Sequence, residues 1–129
     1  MSSRDIEGAN ALYLPQAKVY DDACSLGPRI LLQPNASEWI KVGIHIEIER
    51  DGAVVFSGET STDALNRKLP ELVGFLQRCK KFPYGVFLMT GTGVVPPDSF
   101  TLNAGDVIRI KIDKIGELTN TVHIVGKRG

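Results

Sequence analysis

The stretch Ile40-Lys41-Val42-Gly43-Ile44-His45-Ile46-Glu47-Ile48-Glu49-Arg50-Asp51-Gly52-Ala53 decides the fold class. Val42, Ile44, Ile46 and Ile48 fall on one side of an extended chain, and Lys41, His45, Glu47 and Glu49 on the other. A period of two predicts a strand over 40–50 with one buried face. Asp51-Gly52 accepts the positive φ of a tight hairpin, so Ala53 to Gly58 is expected to pair back antiparallel. The same alternation returns downstream. From Asp106 to Asp113, Val107, Arg109, Lys111 and Asp113 oppose Ile108, Ile110 and Ile112. A turn at Gly116 and a strand from Leu118 to Val125 then close the sheet.

Between these strand pairs lies one helical pattern. Leu69, Leu72, Val73, Leu76 and Cys79 recur at three- and four-residue spacings, which is one apolar stripe of a helix. Thr60 to Asp63 supplies capping oxygens, and the helix is expected over about 62–80. Pro70 inside it predicts a kink or a fresh first turn, because proline has no N–H to donate. Short strands are also expected at Arg29–Gln33 and Val86–Met89. The fold class is therefore mainly β (α+β), a mostly antiparallel sheet assembly with one packed helix. Residues 1–26 read differently: Gly, Asn, Pro and Asp dominate, with a single helical turn through Glu7. They are expected to form a functional loop region, with 27–129 as a β-rich core.

The 129 residues fit one domain, and 15 Lys and Arg balance 15 Asp and Glu. Zero net charge removes the electrostatic case for nucleic acid or an anionic membrane. Cys24 and Cys79 are far apart and read as free thiols. There is no signal-type apolar run near Met1 and no stretch long enough to span a bilayer. A cytoplasmic protein is the expectation.

Periodicity leaves two segments unexplained, both loops beside strands, where scaffolds present functional groups. One runs from Arg4 through Tyr20 and contains Lys18. The other is Met89-Thr90-Gly91-Thr92-Gly93-Val94-Val95-Pro96-Pro97. Gly91 and Gly93 flank Thr92, so backbone N–H groups and the hydroxyl can approach a carboxylate without Cβ interference. Taken alone, Thr-Gly-Thr-Gly also suits an ordinary turn, Lys18 a surface lysine, and Arg4 and Glu7 a helix-surface ion pair. His45 and His123 lack partners at ligand spacing, which argues against zinc. No nucleophile triad and no phosphate-binding Gly-rich loop is evident.

The ordered set of short motifs resembles the fumarylacetoacetate hydrolase superfamily. Ser3-Arg4-Asp5-Ile6-Glu7 resembles the end of its Asn-Asp-x-Ser-x-Arg-Asp-x-Gln/Glu motif. Lys18-Val19-Tyr20 with Leu26-Gly27-Pro28 resembles Gly-Lys-x-Phe-Asp…Gly-Pro, and Thr90-Gly91-Thr92 resembles its Thr-Gly-Thr-Pro loop. Leu102-Asn103-Ala104-Gly105-Asp106 and Ile115 to Val122 resemble the closing Leu-x-x-Gly-Asp and Ile-Gly-x-Leu-x-Asn-x-Val patterns. Tyr13 to Lys18 and Thr92 to Pro96 are most similar to the branch of 2-keto-3-deoxy-sugar-acid (arabinonate-type) dehydratases.

The resemblance implies a β-roll, often dimeric, and a magnesium ion held by a Glu-x-Glu pair and an Asp. Magnesium suits such hard oxygen ligands. It implies dehydration of a 2-keto-3-deoxy sugar acid or, alternatively, C–C hydrolysis of a fumarylpyruvate- or acylpyruvate-like acid. Lys18 would be an acid/base, Arg4 and Glu7 would line the pocket, and Thr92 with Gly91 and Gly93 would bind the carboxylate. Asp22 matches a second-ion residue of some hydrolases. The family's three metal ligands match positions before Met1, so the chain is expected to be N-terminally truncated and inactive alone. It would act as a homodimer or with a missing N-terminal half, or else as a non-catalytic assembly module. Glu47 and Glu49 share a strand face, out of family order, as the alternative place for an ion.

Overall fold

A computed structural model describes residues 10–32 and 41–126 of the chain. Its framework is a four-stranded antiparallel sheet: β1 (Gly43–Arg50), β2 (Ala53–Ser61), β3 (Val107–Ile112) and β4 (Gly116–Thr121), in the order β2-β1-β3-β4. Both hairpins turn through positive φ, the second partly at a lysine. Asp51 and Gly52 take φ of 52° and 81°, and Lys114 and Gly116 take 67° and 118°.

The register settles which side chains share a face. Ile44 pairs with Ile112, Ile46 with Ile110 and Ile48 with Ile108. Gly58 lies across from Ile46 on β2, and Leu118 across from Ile110 on β4. One face is thus a field of isoleucines. The other carries His45, Glu47, Glu49, Arg109 and Lys111, as the alternation predicts. Val42, Ile48, Ile108 and Ala17 are the fully buried apolar residues among those described.

The helical segment divides. Thr62–Ala64 forms a single 3-10 turn, and α1 covers Leu69–Gln77 with Pro70 in its first turn. A proline there needs no N–H partner, whereas a helix running in from residue 62 would lose one. Lys68 before it is extended, with ψ of 141°. The expected capping role passes elsewhere: the Thr62 hydroxyl accepts the Val42 N–H at 3.0 Å, and the Thr62 N–H donates to the Val42 carbonyl. Leu69, Leu72 and Leu76 are half-buried, but Val73 and Cys79 are exposed. Lys80 and Lys81 lie past the helix end.

Three strand expectations change. Val86–Met89 carries no strand, and all four side chains are exposed. An apolar run without alternation does not select a sheet face. Residues 29–32 are also outside the sheet, and Gln33 lies outside the described residues. β4 starts at the Gly116 turn and stops at Thr121, short of Val125. No helix among the described residues is long and apolar enough to cross a membrane.

Candidate functional site

The Lys18 loop is built from two 3-10 turns. Asn10 caps the first, its side-chain oxygen accepting the Leu12 N–H at 2.9 Å. Gln16–Lys18 forms the second, with the Lys18 N–H donating to the Pro15 carbonyl. Ala17 is 3% exposed, so the turn is pinned by its neighbour while the Lys18 side chain stands at the surface. The chain then runs extended against β4. The Ser25 hydroxyl donates to Asn120 Oδ1 at 2.7 Å. Gly27, at φ 151° and followed by a cis bond to Pro28, sits where a Cβ would meet Leu118.

The Thr92 loop lies along β2. A Cβ on Gly93 would fall 2.8 Å from the Thr60 hydroxyl, and one on Gly58 would fall 2.5 Å from Val94 Cγ1. These absent β-carbons are what let the loop sit on the strand. The Thr92 hydroxyl donates to the Val94 carbonyl at 2.9 Å and accepts the Val94 N–H at 3.2 Å. Gly91 takes φ of 95°, a conformation that favours glycine.

The rung Gly58-Ile46-Ile110-Leu118 relates the two loops. Residues opposite one another in a sheet point to the same face. Val94 covers Gly58 and Gly27 lies against Leu118, so the Thr92 loop and the segment that follows the Lys18 turn meet the isoleucine face at its opposite edges. Three strand spacings separate those edges, about 14 Å. Ile46 and Ile110, both half-buried, floor the strip between.

Arg4 and Glu7 lie outside the described residues. Asp22, at φ 58°, places Oδ2 3.0 Å from His123 Nε2, and both side chains are exposed. Glu49 is held by Arg109 at 2.7 Å, and Glu47 is 3.3 Å from His45. Among the described residues, no three His, Cys, Asp or Glu side chains group to hold a metal ion. The residues described thus do not fit a magnesium cage, on the strand or at Asp22. Cys24 and Cys79 are free and exposed.

An open groove of about 690 Å³ is lined by His45, Glu59, Ser61, Lys111 and Asp113 among others. It includes neither Lys18 nor Thr92, and the charges along it are of both signs. One residue that sequence reasoning did not single out is Asp106, whose side chain is 1% exposed and bound to Arg50. Its only sequence signal was membership of the Leu-x-x-Gly-Asp motif. The Arg50 guanidinium and the Asn103 N–H hold its carboxyl down to about 2, against an opposing push from burial. It is a structural clasp, 56 residues from its partner in sequence.

Comparison with known proteins adds the lineage. Residues 1–123 match the family model described as fumarylacetoacetate (FAA) hydrolase C-terminal. The "Probable 2-keto-3-deoxyxylonate dehydratase" of Haloferax volcanii is 42% identical over 125 residues, covering 97% of this chain and 43% of that protein. The 2-dehydro-3-deoxy-D-arabinonate dehydratase of Saccharolobus solfataricus is 37% identical over 122 residues, covering 95% of this chain and 41% of that protein. A solved 2-keto-3-deoxyarabinonate dehydratase is similar with a TM-score of 0.88 at 37% identity, covering 95% of this chain and 42% of the other. A further 2-keto-3-deoxy-D-arabinonate dehydratase structure, complexed with magnesium and 2,5-dioxopentanoate, gives 0.84 at 36% identity, over 93% of this chain and 43% of the other. The chain spans less than half the length of these relatives. With matching motifs in order along nearly its whole length, it belongs to the fumarylacetoacetate hydrolase family.

Proposed function

We propose that the chain contributes the Lys18 and Thr92 loops to the active site of a magnesium-dependent dehydratase acting on a 2-keto-3-deoxy sugar acid. What supports this reading is that the Thr92 loop and the segment that follows Lys18 both meet one sheet face, beside relatives that are dehydratases of such acids. Dehydration removes a proton from C3, acidified by the neighbouring keto group, and expels the C4 hydroxyl as water. Lys18 is the group that moves a proton; Arg4 and Glu7, which lie outside the described residues, match the family's pocket-lining positions. Thr92, with the N–H groups flanked by Gly91 and Gly93, holds the carboxylate. The half-buried isoleucines between the loops keep water from the carbon chain.

Among the described residues no group of carboxylates holds the ion, so its ligands lie outside them. The loop region of residues 1–26 and the sheet work as one unit within a larger assembly. Exposed apolar side chains such as Ile30, Leu32 and Phe87, at 70%, 85% and 65%, fit such an association.

The test is complementation. The chain is co-expressed with the remaining part of the Haloferax-type relative and assayed with magnesium on 2-keto-3-deoxy-xylonate, 2-keto-3-deoxy-arabinonate and an acylpyruvate. Dehydration that appears only in the assembled protein, and vanishes with Lys18→Met, is the expected result. Turnover of the acylpyruvate alone would replace the dehydratase reading with a hydrolase one. Activity of the pure chain would refute its dependence on outside carboxylates.

A further inference from the structure

Asp22 meets His123, Ser25 meets Asn120, Gly27 meets Leu118, and Pro28 with Arg29 meets Gly116. Each step forward in one segment is a step back in the other. Residues 22–29 therefore run antiparallel along β4 and its continuation in fixed register, at the rise of an extended chain. Among the described residues this segment belongs to no sheet. Side chains, rather than a backbone ladder, set the register. The segment begins four residues after Lys18.

Asn120 stands out along this seam. It sits across from buried Ile108 on the isoleucine face. Its Oδ1 accepts the Ser25 hydroxyl, yet its Nδ2 is buried and has no partner among the described residues. A buried donor without an acceptor is a net cost, and an apolar side chain of similar shape would remove that cost. The half-satisfied amide makes sense if the acceptor end is what the protein uses.

We propose that Asn120 is a positioning residue for Lys18: by accepting the Ser25 hydroxyl it locks the segment after Lys18 onto β4. This rests on the dehydratase reading for its catalytic meaning, but its structural content is independent. In the full chain, Asn120→Leu is expected to leave the melting temperature unchanged or raised. At the same time it increases amide exchange over residues 19–26 several-fold. The labelling rate of Lys18 by an amine-reactive ester then changes several-fold, with its pH profile, relative to Lys41 and Lys114. Asn120→Asp, which keeps the acceptor, restores the wild-type labelling profile. Ser25→Ala reproduces the Asn120→Leu effect, and the double variant adds nothing to it.

Unchanged exchange and labelling in Asn120→Leu would overturn the proposal. So would a fall in melting temperature with all lysines changing together, which is the mark of a merely structural residue. In the assembled enzyme the variant is expected to lower kcat about tenfold with little change in KM. Absence of any dehydratase activity in the wild-type assembly would sink the functional reading and leave the labelling result standing.

Discussion

The Arg50 guanidinium grips the Asp106 carboxylate through two parallel bonds, Nε to Oδ1 and Nη2 to Oδ2, each 2.8 Å. Arg50 ends β1 and Asp106 immediately precedes β3, so the pair ties neighbouring strands at one end of the sheet. Arg50 also donates to the Thr101 carbonyl and lies over the Phe100 ring, 5.7 Å from its centre. Asp106 accepts the Asn103 N–H at 2.8 Å, while its own carbonyl takes the Val122 N–H. The clasp therefore fastens the segment that leads from the Thr92 loop back into the sheet.

This clasp has an acid limit. The Asp106 carboxyl is lowered from 3.8 to about 2, chiefly by the hydrogen bonds from Arg50 and the Asn103 N–H. A carboxyl with a depressed folded value binds its proton more readily when unfolded. Its contribution to stability is fully present above the ordinary value and is lost as pH falls through the folded one. Denaturant midpoints of wild type and Asp106→Asn are expected to differ at neutral pH. The gap should narrow between about pH 4 and pH 2. A gap that stays constant across that window would remove Asp106 from the acid transition.

What the sequence made legible was whatever has a period. The isoleucine alternations of β1 and β3, the Asp51-Gly52 turn and Pro70 at the start of α1 each follow from local rules. Val86–Met89 failed as a strand because four consecutive apolar residues carry no face preference. The Arg50–Asp106 clasp and the Ser25–Asn120 bond were invisible because their partners are 56 and 95 residues apart. The two site loops stood out only as segments without a period, and the resemblance gave them their roles, since glycines and single polar residues have no period to read. That Val94 and Gly27 meet one sheet face emerged only from the strand register.

Gly58 tests how the Thr92 loop is seated. A Cβ there would lie 2.5 Å from Val94 Cγ1, too close for any real contact. Gly58→Ala is expected to cost about 1–3 kcal/mol by overpacking and to lift the loop. Val94→Ala opens the needed space, so the double variant should recover most of the loss. Thermal melts of the two single variants and the double decide it. Simple additivity would mean that Val94 is not what Gly58 accommodates.

Glu49 and Glu47 have the letters of a metal-binding pair, and their partners argue otherwise. Glu49 is bound by Arg109, at 34% exposure for the arginine and 30% for the carboxylate, and Glu47 lies beside His45. A half-exposed pair of this kind contributes at most about 1 kcal/mol. Glu49→Gln should therefore lower stability only slightly, and neither Glu47→Gln nor Glu49→Gln should alter the response of the chain to magnesium. Calorimetric titration checks this. A magnesium heat in the wild-type chain that disappears in either variant would place an ion on the polar face of β1.

Thr92 spends its hydroxyl on its own loop, donating to the Val94 carbonyl while accepting the Val94 N–H. A hydroxyl has one proton to give. To hold a substrate carboxylate, Thr92 must release the Val94 carbonyl and turn that proton to the acid. Thr92→Ser keeps the proton and the Val94 contacts. Thr92→Val keeps the shape and loses both. A hydrogen bond to a charged acceptor contributes about 1.5–3 kcal/mol, or roughly a ten- to hundredfold change in affinity. In the assembled enzyme, KM is accordingly expected to rise by that factor in Thr92→Val and to stay within about threefold in Thr92→Ser, taking the serine's extra freedom as a fraction of a bond. If both variants bind substrate as the wild type does, the acid is held by the loop's backbone N–H groups instead, and Thr92 serves only to shape them.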